Sequence, residues 1–320
     1  MRNSEYLIIA AMVLLLPVSC TILDPSEPGN LVPPTVDDDL SLESLAVNNT
    51  KLYVETYGDR ANDMIIFLHG GPGLDFRYLT RLRGLQDSFF LVYFDQRGAG
   101  LSRRHDESEI TVDLYIEDLH QLISHYRQSE SRKVVLVGHS WGGMYAAAYI
   151  SGHPDVVDRA VLLACGSLTS DEWPLSYPPL SDPSLHTVLW NSQFMTAGDS
   201  HEKIDYMLKT IMPDLLPRTY HLSRRDPSPS VRSGGVCNAV LLADKDGYVD
   251  FDFTSGLDSF TGPVLFICGA WDKVFGMEYQ EKQGHFFPDT RSVEIDSAGH
   301  DVGWVRHEDV IDEIRGFIGE

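Results

Sequence analysis

Ser140, Asp272 and His300 are the residues of this chain whose types and spacing could carry covalent acyl transfer. Ser140 stands at the centre of Gly138-His139-Ser140-Trp141-Gly142. A serine hydroxyl is a poor nucleophile until a base takes its proton, and that base is commonly a histidine held by a carboxylate. Where a Gly-x-Ser-x-Gly turn joins a strand to a helix, the acid and then the histidine follow the serine in the chain. Asp272 ends Gly269-Ala270-Trp271-Asp272, just past an apolar strand, and His300 ends Asp296-Ser297-Ala298-Gly299-His300, just past the next one. Asp258 precedes its strand, and Asp296 ends the strand that must deliver the histidine. His285 belongs to a helical region and His307 to the last helix, so all four are poorly placed. His139 adjoins the nucleophile, but its side chain should point away from it, and a packing role is expected. The developing oxyanion needs two backbone donors. One is the N–H of Trp141; for the other, Gly71 of His69-Gly70-Gly71-Pro72-Gly73 is the choice. That loop lacks the Gly-Lys-Ser/Thr and Gly-x-Gly-x-x-Gly patterns of phosphate sites.

The elements that must position these groups are legible around them. Lys133–Val137 is a continuous apolar run and reads as a buried parallel strand leading into the turn. A helical pattern follows from Gly142 through Ile150. Lys51–Tyr57 reads as an early antiparallel strand, and Met64–Leu68, Phe89–Phe94 and Ala160–Ala164 as buried strands. Thr111 is placed to cap a helix running to Arg127, whose apolar stripe includes Tyr115, Leu119, Leu122 and Tyr126. Alternation resumes with Pro263–Cys268, a helix over Glu278–Gly284, Ser292–Ile295, and a closing helix from Trp304 to Ile318. Such alternation predicts an α/β domain, a mainly parallel, doubly wound sheet. The core is expected over residues 42–167 and 256–320. Residues 168–255 break the pattern with proline clusters and short helical stretches, and they read as an inserted, mostly helical cap over the C-terminal strand ends, where ligands bind in open α/β sheets.

The chain has 320 residues, 43% of them hydrophobic, and a formal net charge of −22. So acidic a surface repels phosphate backbones, which argues against a nucleic-acid partner. Leu7–Val18 is apolar, interrupted by Pro17, and too short for a confident membrane span. Residues 1–20 therefore read as a signal peptide. Its end, Pro17-Val18-Ser19-Cys20, resembles a bacterial lipoprotein processing box, in which Cys20 becomes the lipidated first residue. The expectation is an exported protein, lipid-anchored at a cell-envelope membrane or otherwise periplasmic or secreted. Residues 21–41, with Pro25, Pro28, Pro33, Pro34 and Asp37-Asp38-Asp39, read as a flexible linker. Cys165 and Cys268 read as small buried hydrophobes. Three cysteines after Cys20 exclude a fully paired framework, and no metal-ligand spacing or cofactor motif is present.

His-Gly-Gly-Pro-Gly at 69–73, Asp-Gln-Arg-Gly-x-Gly-x-Ser at 95–102 and Gly-x-Ser-Trp-Gly-Gly at 138–143 resemble, in order and spacing, the prolyl aminopeptidase (proline iminopeptidase) family of α/β-hydrolase serine peptidases. The resemblance implies the α/β-hydrolase fold, Ser140 as nucleophile with Asp272 and His300, and Gly71 with Trp141 as the oxyanion hole. It also implies release of an N-terminal proline or small residue from a short peptide, with cap carboxylates holding the substrate's amine. The cap departs from the family, since the Trp-x-x-Trp-Glu segment of well-studied members is missing. Glu202, Glu172 and the Asp244, Asp246 and Asp250 cluster are the carboxylates considered for the amine. An esterase, amidase or lactonase acting on a small non-peptide substrate would use the same machinery. A dehalogenase or epoxide hydrolase would carry Asp in place of Ser140, and a pure binding protein would have no use for all three catalytic groups.

Overall fold

The computed structural model describes residues 32–172, 201–202, 204–206, 230–241, 243–244, 247–248 and 250–319. The expected signal segment, residues 1–20 with Cys20, and Asp246 lie outside them. Ten strands are present among the described residues: β1 Ser44–Val47, β2 Thr50–Tyr57, β3 Met64–Leu68, β4 Phe90–Phe94, β5 Val134–His139, β6 Arg159–Leu163, β7 Ala243–Asp244, β8 Gly247–Tyr248, β9 Val264–Gly269 and β10 Thr290–Ile295. The helices are α1 Val112–Tyr126, α2 Trp141–Gly152, α3 Gly235–Leu241, α4 Met277–Gly284, α5 Val302–Val305 and α6 His307–Gly319, with a long 3-10 segment over Phe76–Asp87. Eight strands form one sheet in the order β1-β2-β4-β3-β5-β6-β9-β10. The pairings of β2 with β1 and with β4 are antiparallel; every other pairing in this sheet is parallel.

The buried strands alternate between two cores, as the two-residue period of a strand requires. Met64, Ile66 and Leu68 of β3 face one core with α1 and α2, while Ile65 and Phe67 face the other with Leu79, Leu82 and α6. Thr111 does cap α1, its hydroxyl accepting the N–H of Leu114 at 3.3 Å. The closing helix is not continuous: Arg306 leaves helical backbone at φ −120° between α5 and α6, and its guanidinium donates to the Asp296 carbonyl and to Asp309.

The expected linker needs correction over its second half. Val32 and Val36 are buried, the Val36 N–H donates to the Leu101 carbonyl at 2.9 Å, and Asp37 takes two bonds from Arg103 and an ion pair from Lys51. Proline and aspartate suggest a tether when only local pattern is weighed. Here two valines find apolar cover, and the acidic residues find cations far away in sequence. The chain leaves the core and returns to it side by side: Ser170 N–H donates to Phe251 O, and Phe253 N–H to Leu168 O, both at 2.9 Å.

Candidate active site

The polypeptide reverses sharply from β5 into α2 at Ser140, which takes φ 53° and ψ −117°. Such backbone in a non-glycine residue costs about 1–3 kcal/mol and persists only where its surroundings over-determine it. Here they do: Ser140 N–H donates to Leu163 O on the neighbouring strand, and Ser140 O accepts from Gly143 N–H, both at 2.9 Å. A Cβ on Gly142 would overlap the carbonyl oxygen of Leu68, so the helix can approach β3 only with glycine there. Trp141 is the first residue of α2, and its N–H is among those with no acceptor inside the helix.

The loops after β9 and β10 are stitched together by Ala270 N–H to Ile295 O at 3.0 Å and Trp271 N–H to Ala298 O at 2.8 Å. They bring Asp272 and His300 into contact, with Asp272 Oδ2 2.8 Å from His300 Nδ1. The other carboxylate oxygen accepts the N–H groups of Val274 and Phe275 at 3.0 and 2.9 Å. Burial alone pushes the Asp272 carboxyl up. The His300 bond and the two backbone donors outweigh it and hold the group below the usual carboxylate range. Asp272 is thus ionised and committed to Nδ1, which leaves Nε2 as the ring nitrogen able to take a proton. The Phe275 and His139 rings flank the imidazole, with centroids 5.3 and 5.0 Å from it. His139, directly before Ser140, contacts the His300 carbonyl through Nε2 at 2.8 Å, which fixes the histidine loop against the serine turn.

Gly71 takes φ +124°, a conformation in which side chains are strained. The loop around it is held by residues whose role composition and spacing did not reveal. Gln96 of the Asp-Gln-Arg motif donates from its N–H to His69 Nε2 at 3.0 Å and from Nε2 to His69 O at 2.8 Å, and its Oε1 accepts the indole N–H of Trp141 at 3.1 Å. One glutamine therefore ties the glycine loop to the serine turn. Arg97 of the same motif makes a buried two-bond pair with Asp118. Asp75, buried at the far end of the glycine loop, accepts from Arg77 N–H with one oxygen. With the other it accepts from Ser230 Oγ–H and the N–H groups of Val231 and Arg232. The chain returning from the insertion thus lies directly on the loop, and Gly234 N–H donates to Gly73 O at 2.6 Å.

The carboxylates considered for an amine fall differently. Glu172 is engaged, its Oε1 3.2 Å from Lys282 Nζ and its Oε2 accepting from Gln283 at 2.8 Å. Glu202 and Asp205 each lie in helical backbone, and the Glu202 charge acts on Arg232. Asp205 is fully buried and accepts from Arg104 at 2.9 Å, Arg232 at 2.8 Å and Gly235 N–H at 2.9 Å. Asp246 lies outside the described residues. Asp258 and His285, considered earlier, do not meet the Asp272–His300 pair in any described bond. Cys165, Cys237 and Cys268 are buried free thiols, and burial raises the first to well above its usual range.

Comparison with known proteins decides the family. The description "alpha/beta hydrolase fold" matches residues 63–306, three quarters of the chain. The chain belongs to the α/β-hydrolase fold family. This α/β hydrolase is 33% identical to a proline iminopeptidase of Heyndrickxia coagulans over 224 residues, 65% of this chain and 74% of that protein. It is 35% identical to a probable aminopeptidase of Bacillus subtilis over 124 residues, a stretch that spans 36% of this chain and 38% of the relative. Among solved structures, the esterase RhEst1 from Rhodococcus sp. ECU1013 superposes with a TM-score of 0.65 at 18% identity, covering 88% of this chain and 99% of that one. At that identity the superposition speaks to the fold.

Proposed function

We propose that this α/β hydrolase is a serine aminopeptidase that releases an N-terminal proline or small residue from short peptides through an acyl-enzyme. The observation that carries the reading is the Asp272–His300 hydrogen bond, held against the strained turn that presents Ser140. The substrate class rests on the similarity to proline iminopeptidase. In the proposed reaction His300 Nε2 takes the Ser140 proton as Oγ attacks the peptide carbonyl. The oxyanion accepts from the N–H groups of Trp141 and Gly71. As the tetrahedral species collapses, the C–N bond breaks, His300 returns the proton to the leaving amine, and the acyl group stays on Ser140. Water, deprotonated by the same imidazole, then releases the acid. Asp272 stays ionised throughout and keeps Nδ1 protonated.

The substrate's free amine is a cation, and a cation entering a partly dry pocket is costly unless a carboxylate meets it. The carboxylates proposed to meet it are Glu202, Glu172 and Asp246. Blocking the amine tests the reading. N-acetylation of a proline or alanine arylamide is expected to lower kcat/KM by about two orders of magnitude, the scale of a lost charge-assisted contact. Equal turnover of free and acetylated arylamides would reject the aminopeptidase reading. The engagement of Glu172 by Lys282 favours a second reading, an esterase, amidase or lactonase with a neutral substrate; turnover of p-nitrophenyl butyrate without turnover of arylamides would select it.

We also propose export with lipidation at Cys20. Radiolabelled fatty acid is expected to enter the wild-type protein and not the Cys20→Ser variant, with wild type found in the membrane fraction. One lipidated cysteine can carry several chains, enough for stable anchoring where a single chain is marginal. An unlabelled wild-type protein whose mature N-terminus is another residue would contradict the proposal.

A further inference from the structure

His139 was expected to do no more than pack, yet both of its ring nitrogens are engaged. Its Nδ1 lies 2.8 Å from the hydroxyl of Tyr78, and its Nε2 2.8 Å from the carbonyl oxygen of His300. The Tyr78 hydroxyl in turn accepts the N–H of Gly70 at 2.7 Å. The two ends of this chain fix the direction of every proton in it. Gly70 N–H can only donate, so the Tyr78 oxygen accepts there, and its own proton is left for His139 Nδ1 wherever that nitrogen is the acceptor. The His300 carbonyl can only accept, so His139 carries its proton on Nε2 and gives it to that carbonyl. A neutral imidazole of one defined tautomer is the species that fits. Burial, the largest influence on this ring, pushes it down to about 3, so it stays neutral wherever the enzyme would work.

We propose that Tyr78 and His139 are positioning residues: a hydrogen-bonded bridge that sets the glycine loop carrying Gly71 and the loop carrying His300 in register across Ser140. The proposal rests on the serine-hydrolase reading and deepens it. The bridge starts one residue before Gly71, passes through the residue before Ser140, and ends on the backbone of His300 itself. Its members are buried, with His139 exposed by 7% and Tyr78 by 6%. Their edge-on rings stand 5.3 Å apart between centroids, and a Cβ on Gly70 would crowd both the Tyr78 hydroxyl and His139 Nδ1 at 3.1 Å. An apolar residue in place of His139 would leave the His300 carbonyl without this donor and the Tyr78 hydroxyl proton without its acceptor, and losing either bond at a site this buried is costly. The nucleophile's two accessories would then be free to drift relative to each other, and a displacement of about 1 Å in such a site costs on the order of a hundredfold in rate.

The test combines kinetics with a readout that needs no turnover. Tyr78→Phe, His139→Phe, the double variant and His139→Gln are measured on p-nitrophenyl butyrate and proline arylamide, with thermal melts as a folding control. Glutamine is chosen because its amide offers one donor and one acceptor side by side, as the neutral imidazole does. Each single phenylalanine variant is expected to lose about tenfold to a hundredfold in kcat with KM little changed. The double variant should be no slower than the slower single one, and His139→Gln should recover most of the loss. Additive losses would overturn the bridge as a coupled unit, as would losses carried in KM or wild-type kcat in both single variants. In parallel, nitrogen NMR of histidine-labelled wild type should show one neutral imidazole protonated on Nε2 and shielded from exchange, altered by Tyr78→Phe. The opposite tautomer or a cation at His139 would overturn the proposal whatever the kinetics. A wild type that neither turns over these substrates nor reacts with a fluorophosphonate would instead overturn the hydrolase reading, and the catalytic role of the bridge with it.

Discussion

Ser140→Ala is expected to lower kcat by about four to six orders of magnitude and to leave a folded protein that still binds substrate. The alanine keeps Trp141 N–H and the glycine loop in place, so only the nucleophile is lost. What remains should be the contribution of oxyanion donors and binding acting on water, which serine hydrolases of this kind retain without their nucleophile. The strained backbone at residue 140 sharpens the expectation. Its φ of 53° is held by the backbone bonds to Leu163 O and from Gly143 N–H, not by the hydroxyl, so the variant should melt within a few degrees of the wild type. Steady-state rates on proline arylamide and p-nitrophenyl butyrate, with a thermal melt beside them, are the measurement. Near-native turnover would remove Ser140 from the mechanism.

Asp272→Asn is expected to cost about three to four orders of magnitude in kcat. The carboxylate accepts His300 Nδ1–H at 2.8 Å, whereas an amide in its place can present N–H to that nitrogen and so favour the tautomer protonated on Nε2. A histidine protonated on Nε2 cannot take the serine's proton. The pH behaviour follows from the direction of the shift at Asp272. Its folded carboxyl is held below the usual carboxylate range, so its pairing with His300 is present above that range and is lost only as pH falls through the lowered value. In wild type, the Asp272–His300 pairing is therefore expected to persist through mild acid, and any part of the acid limb that comes from loss of the Asp272 charge should lie below the usual carboxylate range. A pH–rate profile in which Asp272→Asn leaves both the rate and the acid limb unchanged would contradict this role.

How much was legible beforehand depended on how local the cause was. The turn at Ser140 and the meeting of Asp272 with His300 could be read because each residue follows a strand, where chain order alone restricts the choice. The sharp backbone of the glycine-rich loop after β3, where Gly71 takes φ +124°, could be read in the same way. The partners that hold these groups could not. Gln96 acts on Trp141, Asp75 on Val231, and Tyr78 on His139, pairs separated by tens to more than a hundred residues and brought together only by the sheet order. Residues 32–41 were misjudged for the same reason, since Asp37 gains its meaning from Lys51 and Arg103. Glu172, weighed for a substrate amine, is answered by Lys282, a residue of the distant helix α4. Composition predicts what a segment can do alone; buried charge and hydrogen bonding depend on what the fold places opposite it.

The most direct test of the account is to find where the acyl-enzyme forms. Purified protein is treated with a fluorophosphonate, digested, and mapped by mass spectrometry, with Ser140→Ala and excess proline arylamide as controls. The account predicts one adduct, on Ser140 within the peptide bearing Gly138-His139-Ser140-Trp141-Gly142, absent in the variant and slowed by the arylamide. An adduct on another residue, or hydrolysis of either substrate by a protein that the reagent does not modify, would contradict it.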